Sequence, residues 1–145
     1  GPDWTAISQS NAQWEKIWQV NVHAHVHALR AVLPSMLERE GCGFIITASA
    51  AGLLSQTGDI SYSTTKHAAL GFAESLAITH GDDGLYVAAL FARRVLAQMR
   101  EGRFMIRPHP EVEGYFKHKA NDYDRWIGGM RKMRRLQMEK TGRPI

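Results

Sequence analysis

The chain is poor in several features that mark whole classes of protein. It has one cysteine, Cys42, in 145 residues, so no internal disulfide forms and a reducing cytosol is the expected compartment. No apolar run approaches the roughly 20 residues that a membrane-spanning helix needs, and no secretory leader is recognisable. These absences favour a cytoplasmic globular protein with no membrane span and no disulfide framework.

A glycine-rich phosphate-binding turn is also absent. The chain contains 13 glycines, but none are arranged as G-x-G-x-x-G, the turn that lets backbone amides approach a pyrophosphate. The length suits one domain with a real core, and a hydrophobic content of 44% favours folding over disorder. Any dinucleotide-binding function would therefore lack its phosphate cradle within these residues.

Positive charge is scarce in the first part of the chain and concentrated in the last. Residues 1–92 carry four Lys or Arg against eight Asp or Glu, whereas residues 93–145 carry fourteen against six. A basic helix over 125–135 can bind nucleic acid or an acidic surface, but it is more often a solvated face or an oligomer contact. No base-reading motif accompanies it, so nucleic-acid binding is not favoured.

Three residues between positions 49 and 66 carry the clearest chemical signal. The apolar run 44–48 predicts a buried parallel strand that ends at Ser49, and a helix is predicted over 62–79. Tyr62 and Lys66 are neighbours on such a helix, where the ammonium favours the phenolate form of a group whose ordinary pKa is about 10. Tyr62 can then exchange a proton with an alcohol oxygen, and Ser49, at the carboxyl end of its strand, can hydrogen-bond that oxygen.

The rest of the chain predicts alternating helices and strands. A first helix is expected over 11–38, with Ser10 or Asn11 as its N-cap and Pro34 as a possible kink. Strands are expected at 43–49, 85–91 and 103–107, a helix at 95–101, and one or two terminal helices after Pro110, the second capped by Asp122 or Asn121. This order predicts an α/β fold with a partial, doubly wound parallel sheet of three strands, flanking helices and a helical C-terminal tail. Residues 1–92 would form its catalytic half, and 93–145 its last helix and strand plus a basic amphipathic tail.

A cluster of histidines raises the question of a metal site. His23 and His27 share one face of the first helix, whereas His25 points away, so the three side chains cannot converge on one ion. We therefore predict no metal site and treat these histidines as surface or packing residues.

The order of four segments resembles the C-terminal half of a short-chain dehydrogenase/reductase, a family with a Rossmann-like sheet. The segments are 14–21, 30–36, 43–52 and 62–69, and the match runs from about residue 3 to residue 90. The resemblance implies that Tyr62 is the acid/base, that Lys66 lowers its pKa and binds the cofactor ribose, that Ser49 orients the substrate oxygen, and that Asn21 belongs to a proton relay. It also implies NAD or NADP as cofactor, a small alcohol or carbonyl substrate, and a homo-oligomer (dimer or tetramer).

The chain departs from the family pattern at two places. Family members carry a strand and a glycine-rich turn before this region, and they follow the strand at 85–91 with Pro-Gly and a threonine, whereas here that strand runs straight into Ala92 and Arg93. Neither the choice between NAD and NADP nor the substrate can be inferred without those segments. Two other functions stay open: a non-catalytic interaction module that keeps this half of the fold, and a nucleic-acid or anionic-surface binder that uses the basic helix.

Overall fold

The computed structural model describes residues 8–91, 100–106 and 110–142. Its N-terminal part is one long helical run made of α1 (Asn11–Trp18), a π turn (Gln19–His23) and α2 (Ala24–Leu37). Ser10 is the N-cap and forms a capping box with Gln13. The predicted helix is confirmed, but its irregularity is the π turn and not an interruption at Pro34, which lies inside α2.

Three parallel strands follow, in the spatial order β1-β2-β3, as predicted. They are β1 (Gly43–Thr47), β2 (Tyr86–Leu90) and β3 (Met105–Ile106), each shorter than the sequence pattern indicated. The helix predicted over 95–101 falls mainly on positions 92–99, which lie outside the described residues. Within the described sheet, β1 pairs only with β2 and is therefore an edge strand.

The position of β1 explains why it is less buried than predicted. Ile46 is fully buried, but Phe44 and Ile45 are only partly buried, and Thr47 is exposed. A strand with a neighbour on one side leaves its other edge open, so the continuous apolar pattern of 44–48 does not by itself produce a fully buried strand.

Two helices connect β1 to β2. They are α3 (Ala51–Leu54) and α4 (Ile60–His80), and α4 begins two residues earlier than predicted because Asp59 serves as its N-cap. The apolar side of α4 packs on the sheet, with Leu29, Leu33 and Met36 of α2 against the same core. The buried residues that form this core cluster are Ile46, Ala48, Leu53, Ala69, Leu70, Ala73, Leu76, Leu85, Val87 and Ala89.

The C-terminal tail is two helices, α5 (Pro110–Asn121) and α6 (Tyr123–Thr141), with Asp122 as the N-cap of α6. The large apolar residues exposed on these tail helices are Tyr115, Phe116, Tyr123, Ile127, Met133 and Leu136. In the part of the chain that the structure describes, no helix combines the length and apolar character that crossing a bilayer requires.

Candidate active site

Ser49 lies where β1 gives way to α3. The amide of Ala48 still donates to the carbonyl of Leu90 at 2.8 Å, which continues the sheet contact past Thr47. The Ser49 hydroxyl then accepts from the amide of Ala51 at 3.2 Å, and its carbonyl accepts from the amide of Gly52 at 2.8 Å. Ser49 therefore occupies the carboxyl end of a parallel strand, where open α/β sheets bind their ligands.

Tyr62 and Lys66 lie in the first two turns of α4, which Asp59 anchors. The Asp59 carboxylate accepts from the amide of Tyr62 at 2.8 Å and from the hydroxyl of Ser61 at 3.0 Å. The Lys66 ammonium lies 5.7 Å from the centre of the Tyr62 ring, as the spacing of four residues on a helix requires. The helix thus presents a phenol and an ammonium together.

Lys66 connects α4 to the end of β1. Lys66 is 8% exposed, and its Nζ donates to the carbonyl oxygen of Thr47 at 3.1 Å. Burial lowers the pKa of this ammonium below its ordinary value, because the charged form loses solvation. The Lys66 ammonium is therefore a buried cation held at the carbonyl of Thr47, the residue two positions before Ser49.

Asn21 reaches the same region from the π turn. Its Nδ2 donates at 3.0 Å to the hydroxyl of Thr65, the residue before Lys66. The Thr65 hydroxyl in turn donates to the carbonyl of Ser61 at 2.9 Å. π turns occur often at functional sites because the wider turn redirects one side chain, and here the redirected amide contacts α4.

His25 was predicted to be a surface or packing residue, and it lies on the same helical run as Asn21. It is partly buried, and its pKa is lowered first by burial and then by the positive charge of Lys66, so its ring lies within electrostatic reach of that ammonium. It follows Asn21 by four residues, and that spacing is the sequence signal that could have placed it here. His23 and His27 do share a face, with ring centres 6.4 Å apart. Among the described residues, no group of three potential ligands could hold a metal ion.

Gly52 allows α3 to approach α4 closely behind the site. A Cβ at this position would lie 2.6 Å from the carbonyl oxygen of Lys66, closer than real Cβ contacts. Only glycine therefore permits the observed distance between the segment after Ser49 and the helix that carries Lys66.

A cavity of about 820 Å³ opens between α3 and the tail helices. Leu54 and Ser55 form one wall, and Tyr115, Trp126 and Met130 are among the residues of the other. Its size falls in the range of small-molecule sites, and aromatic and methionine side chains suit an apolar ligand.

A sequence profile described as short chain dehydrogenase matches residues 3–105 of this chain. The chain belongs to the short-chain dehydrogenase family. The match includes α1 to β2, and with them Asn21, Ser49, Tyr62 and Lys66, so the candidate site lies wholly within the family region.

Relatives in the short-chain dehydrogenase family match over part of their length. A protein of Mycobacterium tuberculosis described as an NAD-dependent oxidoreductase is 31% identical over 107 residues, which are 73% of this chain and 39% of that protein. Epidermal retinol dehydrogenase 2 of Mus musculus is 41% identical over 64 residues, which are 44% of this chain and 21% of that protein. The chain thus spans about two fifths or less of the length of these relatives.

Two solved structures share the fold of this chain. LigO from a Sphingobium strain superposes with a TM-score of 0.71 at 22% identity, over 100% of this chain and 65% of that one. L-sorbose reductase of Gluconobacter frateurii, solved with NADPH and L-sorbose, gives a TM-score of 0.59 at 26% identity, over 66% of this chain and 36% of that one. The sheet and helices described above are therefore those of a Rossmann-like short-chain dehydrogenase.

Proposed function

We propose that this chain supplies the catalytic part of an NAD- or NADP-dependent oxidoreductase that interconverts an alcohol and a carbonyl compound. The observation that carries the proposal is the position of Lys66: a buried ammonium beside the Tyr62 ring, bonded to the end of the strand that leads into Ser49. A structural lysine is normally solvated, so a buried lysine between a phenol and a strand end is a candidate functional residue.

The residues present suit the nicotinamide end of a dinucleotide. Lys66 offers a desolvated donor at the carboxyl end of β1, and Tyr62 adds a phenol on the same helix face, a pair suited to the hydroxyls of a ribose. The two relatives described by their cofactors, an NAD-dependent oxidoreductase and a reductase solved with NADPH, support a nicotinamide cofactor without deciding between NAD and NADP. When bound, that cofactor carries the hydride.

The proton is the part of the reaction that this chain's own residues handle. In the reductive direction Tyr62 donates its phenolic proton to the oxygen that gains negative charge, and the Lys66 ammonium stabilises the phenolate that remains. Ser49 donates a hydrogen bond to the same oxygen and holds it in position. Asn21, through Thr65, fixes the start of α4 and belongs to the route by which Tyr62 regains its proton.

The compartment, the oligomeric state and the substrate class belong to the same proposal. We infer a cytoplasmic protein, since a single cysteine suits a reducing compartment. We also infer a homo-oligomer that uses the long α1–α2 run and α4, the helices that resemble the dimer-forming helices of the family. The substrate is a small alcohol or carbonyl compound.

The test of the proposed function is Tyr62→Phe in the whole protein, with Tyr86→Phe as the matched control. Loss of the phenolic proton should lower kcat by about 10²- to 10⁴-fold while the thermal unfolding curve stays in place. Tyr86 lies at the amino end of β2, where its hydroxyl donates to the carbonyl of Arg103, so its variant should keep its turnover. Turnover in Tyr62→Phe close to that of the control would refute the role of Tyr62.

A second candidate function rests on the basic side chains of α6. Arg131, Lys132 and Arg135 are exposed and available to an anionic partner. Nucleic-acid binding through them should weaken steeply as salt is added, since each neutralised phosphate releases counterions. Nucleotide affinity that resides in the Tyr62–Lys66 site would favour the oxidoreductase over this alternative and over a non-catalytic module.

A further inference from the structure

The tail contains a buried lysine that the proposed chemistry does not use. Lys119, on α5, is 6% exposed, although its neighbour Lys117 projects into solvent and pairs with Glu113 at 2.9 Å. Burying an ammonium costs free energy unless polar partners replace its water. The partners of Lys119 therefore show which elements of the fold its buried ammonium connects.

The partners of Lys119 come from three different elements. Its Nζ donates to the carbonyl oxygen of Leu53 on α3, lies 3.5 Å from Nε2 of His67 on α4, and stands 5.3 Å from the ring centre of Tyr123 on α6. A carbonyl, an imidazole nitrogen and an aromatic face all attract a cation without neutralising it. One charge from the tail thus joins the segment after Ser49 to the helix that carries Lys66.

The state of His67 can be assigned from its two contacts. Its Nδ1 lies 2.8 Å from the carbonyl oxygen of Ser63, which can only accept, so Nδ1 carries the hydrogen. In the neutral ring Nε2 then has a lone pair directed at the Lys119 ammonium. His67 thus offers Lys119 a second acceptor besides the carbonyl of Leu53.

Two further side chains of the tail, those of Trp126 and Gln137, hydrogen-bond to the same segment. Nε1 of Trp126 donates to the carbonyl of Leu54 at 3.3 Å, and the hydroxyl of Thr57 donates to Oε1 of Gln137 at 2.7 Å. Together with Lys119, they hold residues 53–57 from one side. That segment connects Ser49 to the helix that carries Tyr62 and Lys66.

We propose that Lys119, supported by Nε2 of His67, is a positioning residue that clamps residues 53–57 and thereby fixes Ser49 relative to Tyr62 and Lys66. The inference rests on the proposed function. Displacement of catalytic groups by about 1 Å can cost about 10²-fold in rate, so loosening this segment should lower turnover while the chain stays folded.

The decisive variant is Lys119→Met in the whole protein, with Lys117→Met as the control on the same helix. We expect kcat to fall about tenfold or more in the first, an effect of the size that small displacements of catalytic groups produce. Amide hydrogen exchange should speed up within residues 50–59 and stay unchanged in the core of α4. The control should match the wild type in both measurements, because Lys117 is exposed and bonded only along its own helix. Trp126→Phe keeps the ring and removes one donor, and it should give a smaller change of the same kind.

A second pair of variants tests the contact with His67. His67→Leu removes the imidazole nitrogen that lies 3.5 Å from Nζ of Lys119, so it should speed up exchange within residues 50–59 and lower kcat. His118→Leu changes an exposed histidine next to Lys119 and should leave both quantities at their wild-type values. Thermal unfolding of each variant separates positioning from general destabilisation, because a positioning role lowers kcat in protein that is still folded.

Two kinds of failure are distinguishable. Unchanged exchange at 50–59 in Lys119→Met, unchanged kcat in that variant, or exchange in His67→Leu equal to that in His118→Leu would each overturn the clamp. A wild-type protein that binds no nicotinamide cofactor would instead overturn the proposed function, whatever the exchange rates show. If Lys119→Met fails to fold, exchange and kcat in Trp126→Phe and His67→Leu test the clamp by the same criteria.

Discussion

At the scale of single residues, the burial of Lys66, a candidate site residue, lowers the stability of the fold. Burial removes water from the ammonium, and its pKa falls below the ordinary value of 10.5. Between that lowered pKa and the ordinary one, the unfolded chain binds more protons at this position than the folded chain does. Folding stability must therefore rise with pH across that interval. The free-energy cost of holding the cation is largest at lower pH, where it is fully charged.

This pH dependence is testable by comparing the wild type with Lys66→Met. As pH rises towards 10.5, the free energy of unfolding of the wild type should increase relative to that of the variant, because the variant has no group to deprotonate there. Urea unfolding at several alkaline pH values measures the difference. The exposed Lys117 serves as control, and its variant should track the wild type. A difference that moves the opposite way would contradict the burial of the charge.

At the scale of elements, the contact between α3 and α4 depends on one missing methyl group. Gly52→Ala would drive a Cβ to within 2.6 Å of the Lys66 carbonyl, so the helices must separate or the backbone must shift. We expect it to lower the free energy of unfolding by about 1–3 kcal/mol, as overpacking does. Gly71→Ala, in the interior of α4 with no atom within 4 Å of the new Cβ, should instead stabilise the helix by about 1 kcal/mol. Thermal and urea unfolding of the two variants give the comparison, and equal effects would argue against the close approach.

The elements also show what sequence reasoning reaches and where it stops. Local spacing was enough to place Tyr62 beside Lys66 and to limit the cap of α6 to Asp122 or Asn121, of which the structure has Asp122, since both depend on residues within one helical turn. The π turn was not predicted, because neither its residues nor their spacing differ from those of an ordinary helix. The contact of Lys119 with Leu53 was not predicted either. It joins residues 66 positions apart, and no local sequence pattern links the two positions.

At the scale of the whole molecule, the open edge of β1 predicts self-association of the isolated 145-residue chain. Phe44 and Ile45 are only partly buried on a strand that pairs on one side in the described sheet. Exposed apolar edges recruit further strands, so we expect concentration-dependent oligomers in sedimentation velocity. Ile45→Lys should weaken the association, as charged residues at sheet edges do in natural proteins. A monomer that melts cooperatively would contradict this expectation.

The contacts of the tail also set an order of events during synthesis. Thr57 and its partner Gln137 are 80 positions apart in the sequence, and Leu53 and Lys119 are 66 positions apart. A ribosome adds residues from the amino end at roughly 5–20 per second, so the segment after Ser49 leaves it several seconds before the residues that will hold it. Sheet and α4 can assemble in that interval, but the site cannot take its final shape. An mRNA truncated before the codon for Lys119 would therefore yield a chain that carries Ser49, Tyr62 and Lys66 but lacks the tail contacts that hold residues 53–57.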